Sequence, residues 1–452
     1  MQHVHGFTRL SALALGITGA LAFGQVHASG FQIKENSVKA QGRAFAGSAV
    51  AAGDASVVAN NPAAMTQFEG TTVQADVTTI DLGFEFEGSG TALGGRPMTG
   101  DNGGDAGDLI PVPAMAFVHK LDNGLALGAM VSAPFGLVTD YDADWVGRYS
   151  ADKSDLQTID LTLSAALDIT ERFSVGLGMI YERADVTLSK AVDFGTIICA
   201  SGSPANCFNP AYPFRPQAND GHAEVEGDSN SFGWLVGATL RPTDKLSIGV
   251  SYRSEIDHEI DGSVDWTVPG NVQAALGGNP NTAVLFKDGG ARADLTTPSV
   301  TTVSVAYQFT DAFSMMADWS QTGWDSLREI NIDFANPDPN SVEDFDWKET
   351  QFWSLGGEYK LTDAWTLRGG YAYDESPTDI ATRTPRLPDG NRKWYSLGAS
   401  WQATQSLEVN FAYTYLDAGN PQIDLADAQG HTLVGEYDAN VSLYGISAQY
   451  KF

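Results

Sequence analysis

From residue 406 to residue 415 the chain reads Ser406-Leu407-Glu408-Val409-Asn410-Phe411-Ala412-Tyr413-Thr414-Tyr415. Apolar and polar-or-small side chains alternate without a slip, and a period of two places each set on its own face of a β-strand. The same rhythm returns at Phe173, Val175, Leu177, Met179 and Tyr181, at Leu246, Ile248, Val250 and Tyr252, and at Phe313, Met315, Ala317 and Trp319. It closes the chain at Tyr444, Ile446, Ala448, Tyr450 and Phe452. In a soluble sandwich the apolar face would be a core, whereas in a transmembrane barrel it would face lipid.

The spacing of the strands separates the two. Short turns recur at Leu121 to Gly124, Ile169 to Arg172, Pro242 to Lys245, Thr310 to Ala312, Leu361 to Ala364 and Ala403 to Gln405. Between them lie long irregular stretches near residues 89–108, 134–155, 191–228, 263–290, 335–346, 376–389 and 418–434. Short turns at one end and long loops at the other are the asymmetry of an outer-membrane barrel, and six turns with a strand at each end imply about fourteen strands. Aromatics expected at the membrane interfaces include Trp319, Trp353, Tyr359, Trp365, Tyr371, Tyr373, Trp394 and Trp401. A final strand ending in Phe452 fits recognition by the bacterial barrel-assembly machinery.

Composition agrees. The 452 residues are 43% hydrophobic with 48 glycines, yet mean hydropathy is only −0.16, so the apolar residues are dispersed. The single apolar block, Leu10 to Phe23, is about 14 residues, too short for a spanning helix of roughly 20. It follows Arg9 and leads to Ala28, which reads as a secretory signal over residues 1–28, with a buried helix as the alternative. A net charge of −30 disfavours nucleic acid as a partner. The acids gather in loops, as at Asp101, Asp105 and Asp108, which reads as solvated surface or an oxygen-rich calcium loop. Cys199 and Cys207 are expected to form a disulfide in an external loop, since no cluster of metal ligands lies beside them.

Residues 29–69 do not alternate, and they carry the turn signal Asn60-Asn61-Pro62. A fourteen-strand barrel is wider than its own side chains can fill, so this segment is expected to be a plug inside the lumen, the alternative being a flexible periplasmic tail. Residues 70–452 would form the barrel.

At this point the residues resemble a known family, the FadL-type long-chain fatty acid transporters and their aromatic-hydrocarbon relatives. The likeness runs through Gly30, Phe31 and Gln32, then Gly42, Arg43, Ala44 and Gly47, then Asn61-Pro62-Ala63. It resumes at Phe135 to Tyr141, Gly147 to Tyr149, Tyr359 to Asp363, Asp374 to Pro377 and Pro388 to Gly398. The resemblance implies a plug motif at Asn61, Pro62 and Ala63, a capture groove between two external loops, an interior site near Phe31, and a lateral exit at a kink in the third strand. The two loops hold Phe194, Ile197, Ile198, Trp266, Val268, Leu276 and Phe286, unusually apolar for exposed segments. The kink corresponds to Ala133, Pro134, Phe135 and Gly136, where proline withholds a donor and glycine weakens the ladder.

For the interior carboxylate site, Arg183 falls where the family has an arginine, turned inward by a bulge near Ile180, and Arg368 has lumenal parity in its strand. Either could instead contact lipopolysaccharide or loop acids. The expected partners are a hydrophobic small molecule, outer-membrane lipid and lipopolysaccharide, and the assembly machinery; a monomer without cofactor or metal is expected. An enzyme is disfavoured, because the 7 histidines include three in the signal and neither Gly-x-Ser-x-Gly nor His-Glu-x-x-His occurs. A porin for small solutes, or a carrier of aromatic hydrocarbons or alkanes, stays open as an alternative.

Overall fold

A computed structural model of the chain describes residues 30–50 and 53–452. The expected signal and Ser29 lie outside the described residues. Fourteen antiparallel strands close into one barrel, the last paired with the first from Thr72↔Lys451 to Thr91↔Thr432. We number them β1 (Thr71–Ala92), β2 (Leu109–Lys120), β3 (Ala126–Ser132, resuming at Gly136–Asp140), β4 (Lys153–Thr170), β5 (Phe173–Asp193) and β6 (Asp220–Thr243). Next come β7 (Leu246–Arg253 and Ile256–Thr267), β8 (Gly289–Thr297 and Val300–Gln308) and β9 (Phe313–Thr322 and Glu329–Phe334). The wall is completed by β10 (Thr350–Lys360), β11 (Trp365–Asp374), β12 (Arg392–Gln402), β13 (Leu407–Asp417) and β14 (Thr432–Lys451).

The alternation decides which way each side chain points. Phe411, Tyr413 and Tyr415 are exposed on the outside, while Asn410, Ala412 and Thr414 are buried in the lumen. Trp353, Tyr359, Trp365, Tyr371 and Trp401 are likewise exposed. Trp394 is a correction: its parity in β12 is inward, and it is fully buried between Phe45 and Phe352. All six short turns are present, and the long connections all lie at the opposite end.

Those connections are shorter than the sequence pattern implied. β6 begins at Asp220 and β14 at Thr432, well inside stretches without hydropathy alternation. The reason is that the ladder continues beyond the lipid belt: there Glu224, Glu226 and Asp228 occupy the outward parity that Phe232 and Trp234 hold lower down. Pairing needs only backbone, so it outlasts the apolar signal that reveals it.

Residues 30–50 and 53–68 form no wall strand and are almost wholly buried. They contain two short helical turns, Val38–Gln41 and Val57–Asn60, and a 3-10 turn, Pro62–Gln67. Arg43 donates to Glu358 of β10 at 2.8 Å, Lys39 pairs with Glu408 of β13 at 2.5 Å, and Asp318 of β9 accepts from the Gly47 and Ser48 amides. Glycines clear the way. A Cβ at Gly237, Gly356, Gly370 or Gly398 would collide with Asn61, Arg43 or Gly42. The wall is therefore shaped to the segment by missing side chains as well as by ion pairs.

Candidate ligand path and binding site

The route starts between the external loops. Phe194, Ile197, Ile198, Trp266, Val268, Leu276 and Phe286 all belong to one apolar cluster with Val192, Ala223 and Val272. Phe194 is fully buried and meets Phe286 edge-on at 4.9 Å, so it supports the floor. Ile197, Trp266 and Phe286 line a cavity of 300 Å³ beside it. The Phe286 amide is held by the Asp338 carboxylate at 2.8 Å. Cys199 and Cys207 are joined by a disulfide within the same loop, with Cα atoms 5.1 Å apart. The acidic loop carries turns: Asp101 accepts from the Gly103 amide, and Asp105 from those of Phe84 and Gly107.

Arg386, which sequence reasoning missed, lies where this cavity meets a deeper one of 60 Å³. The deeper cavity is lined by apolar side chains, among them Leu156, Val186, Ile260, Leu295, Trp347 and Phe31, and by Arg386, which turns carbon atoms and no nitrogen to it. Arg386 donates to Lys153 O and Ser154 Oγ at 3.2 Å and to Ser189 O at 3.3 Å, and its buried Nε has no partner. It shares the carboxylate of Glu343 with Lys190, at 3.4 and 3.2 Å. Two cations on one carboxylate leave positive charge at the mouth of an apolar chamber. Arg386 sits in an aperiodic loop, where strand parity gives no signal; only its place between the family-like stretches Asp374 to Pro377 and Pro388 to Gly398 marked it.

Phe31 closes the inner end. It packs against Trp324 at 4.6 Å, Trp347 at 5.7 Å and Phe135 at 5.9 Å. Beside it the wall is broken. β3 stops at Ser132 and resumes at Gly136, and that second piece pairs with β4 alone, from Gly136↔Gln157 to Asp140↔Lys153. On β2 the prolines Pro111 and Pro113 withhold two more donors at this height. The bared β3 edge is met from inside, where Ile33 N donates to Pro134 O at 2.7 Å and Gly136 N to Phe31 O at 2.8 Å. Ala133, Pro134, Phe135 and Gly136 thus sit at the one expected break.

Asn61 accepts from the Ala63 amide to cap the Pro62 turn, and donates to Ala49 O and to Ala238 O of β6. Arg368 is lumenal as its parity required, but it is bonded to Glu358 at 2.8 Å and to Ser400, beside Arg43. It braces Glu358, the wall carboxylate that also holds Arg43, and does not line either apolar cavity.

Arg183 is a correction. The β4–β5 register runs without a bulge from Leu167↔Val175 to Lys153↔Ser189, so Arg183 points outward. There it pairs with Asp185 at 2.6 Å and Asp228 at 3.4 Å, and the inward residues are Glu182 and Ala184.

Known proteins were compared with this geometry. Residues 19–452 match the family model described as outer membrane protein transport protein (OMPP1/FadL/TodX). Outer membrane protein P1 of Haemophilus influenzae is 28% identical, over 96% of this chain and 97% of its own length. A long-chain fatty acid transport protein of Escherichia coli is 26% identical over 98% and 99%. A FadL homologue of Pseudomonas aeruginosa superposes with a TM-score of 0.86 at 28% identity, over 93% of this chain and 99% of that one. The Pseudomonas putida toluene transporter TodX shares the fold, with a TM-score of 0.66 at 16% identity over 91% and 97%.

Proposed function

The chain belongs to the outer-membrane transport protein family (OMPP1/FadL/TodX) and is an outer-membrane transporter of hydrophobic compounds; on that footing we propose that its cargo is long-chain fatty acids. The observation that carries this reading is Arg386, the charged side chain shared by the loop cavity and the apolar chamber. An alkane or an arene needs only the apolar wall, whereas a guanidinium with an unused Nε–H answers a carboxylate.

The proposed route runs from the loop cavity, past Arg386, into the chamber ending at Phe31, and out sideways beside Pro134. At 60 Å³ the chamber is far below the ~300–1,000 Å³ of ordinary ligand pockets. A long acyl chain therefore enters only if the Phe31 end of residues 29–69, the proposed hatch, moves, and the cargo must bind the moved state better. A side exit has an energetic rationale: releasing a sixteen-carbon chain into water would cost on the order of 10 kcal/mol at about 0.8 per methylene. Sliding into the bilayer avoids most of that. The capture residues, the hatch motif Asn61-Pro62-Ala63 and the kink are assigned these roles by the same reading, as is the absence of catalysis. Lipid and lipopolysaccharide surround the barrel in it, and the chain acts as a monomer.

The test is uptake of labelled oleate beside labelled toluene, in the wild type and in Arg386→Gln. The expected result is oleate uptake reduced about tenfold, the size of one lost charge-assisted hydrogen bond. Equal uptake of toluene, insensitive to the substitution, or oleate uptake unchanged by it, would reject the fatty-acid reading.

A further inference from the structure

Four charged or titratable side chains, three of them buried and Arg253 nearly so, gather in the lumen where the apolar chamber meets the break in β3. Asp160 of β4 stands directly across from Ser132, the last paired residue before the break, and directly across from Glu182 of β5 on its other side. Arg253 of β7 reaches both carboxyl groups, Asp160 at 2.5 Å and Glu182 at 2.6 Å. Its guanidinium also lies over the ring of Phe135, 5.6 Å from the centroid. His258 approaches Glu182 through Nε2 at 2.9 Å, and Thr297 donates to the same oxygen at 2.7 Å.

Charge counting within this quartet leaves a remainder. Two carboxylates face one guanidinium, and a lone buried charge costs several kcal/mol. A proton must therefore be bound, and the hydrogen bonds locate it. His258 Nδ1 is buried without a partner, so a second proton on the ring would find no acceptor. Glu182 accepts from Arg253, His258 and Thr297, the environment of an anion. Asp160 Oδ1 is buried with no donor facing it, on the residue opposite Glu182. That oxygen is the position left for the proton.

We propose that Asp160 is a proton-donating group that converts an outgoing fatty-acid carboxylate to the neutral acid at the wall break. The inference rests on the fatty-acid reading above. The O–H bond of Asp160 breaks and its electron pair stays on the aspartate oxygen, which Arg253 already contacts. The proton forms a new O–H bond on the cargo carboxylate, which can then enter hydrocarbon without burying a charge. Asp160 is reloaded by a solvent proton through the adjoining polar cavity of 110 Å³, lined by Asp160, Arg253, Ser132, Asn36, Lys34 and Asp318. Lys34 of the N-terminal segment and Asp318 of β9 are the charged groups facing Asp160 across that space, beside Glu182, Arg253 and His258 of the quartet itself.

The experiment uses the full chain in liposomes and follows transfer of palmitate and of hexadecanol, equal in length but unable to lose a proton at working pH, into the bilayer. Heat-modified electrophoretic mobility checks that each variant has folded. Asp160→Asn keeps a partner for Arg253 but holds no transferable proton, and should slow palmitate at least ~tenfold while leaving hexadecanol within about twofold. Glu182→Gln removes the need for the proton and should act in the same direction. Wild-type palmitate transfer should slow as pH rises, and both variants should lose that slope. Equal slowing of both cargoes, or palmitate unaffected in both variants, overturns the proton step alone. A wild type that moves hexadecanol but not palmitate overturns the fatty-acid reading with it.

Discussion

The N-terminal segment meets the barrel wall in two different ways. Its body is held to the wall by charge: Arg43 to Glu358, Lys39 to Glu408 and Asp318 to two backbone amides, while Arg43 also pairs at 3.7 Å with Asp54 inside the segment. Its leading end, Gly30 to Ile33, carries no ion pair: it is held by rings around Phe31, by two backbone bonds to the open edge of β3, by the Gly30 amide on the Asp389 carboxylate at 3.0 Å and by Thr322 on the Gln32 side-chain oxygen at 3.1 Å. Breaking a buried ion pair strands a charge, whereas parting aromatic rings only exchanges one apolar surface for another when an acyl chain takes their place. The difference bears on the proposed route: ion pairs fix the body, so the leading end is the part that the proposal has greasy cargo displace.

The strongest attack on that contrast is to fix the leading end. Gln32 and Phe135 oppose each other across an antiparallel bridge, so Gln32→Cys with Phe135→Cys should form a disulfide. The oxidised protein is expected to take up no labelled oleate, and reduction should restore uptake. Full uptake by the oxidised form would mean that the leading end stays still during transport.

Next in size is the anchor. Burial drives the Asp54 carboxyl up, but Arg43 and then Lys39 outweigh it and hold Asp54 below its ordinary value. Arg43→Ala removes the cation nearest Asp54, leaving it Ser37, Gln74 and the Ser56 amide, and one of two cations on Glu358, and should cost about 3 kcal/mol. The expected readout is a lower urea midpoint and new current in planar bilayers, as the loosened segment unblocks the lumen. A quiet bilayer and an unchanged midpoint would place the anchoring elsewhere.

The smallest effect belongs to the external loops, which give both regions an outside reference. His431 lies between Asp427 at 2.6 Å and Asp193 at 3.3 Å and stacks on Tyr149 at 4.4 Å. Burial lowers its basicity, yet hydrogen bonds to Asp193 and Asp427 and their charges win, raising it from 6.5 to about 9. A raised value means the junction is fully stabilised below about pH 6.5 and loses that contribution as pH passes about 9. Protease nicking of residues 418–431 should therefore increase across that window in the wild type and be flat in His431→Ala. The leading end, held by rings and hydrogen bonds without a histidine, should show no such window.

The sequence alone determined the barrel. Alternation such as Leu407 to Tyr415 is enforced by the strand's own geometry, so it reports lipid-facing and lumenal residues from local information, and short turns count the strands. It also located the break at Ala133 to Gly136, because proline and glycine act on the backbone where they stand. What it left open was decided by distance in space. The lumen is wide enough that inward parity names no partner, so Arg368 looked like a ligand group and became an anchor of Glu358. Arg183 misled because outward arginines are stable when acids flank them, as Asp185 and Asp228 do above the lipid belt. Arg386 and the quartet around Asp160 come from separate loops and strands, and only closure of the wall brings them together.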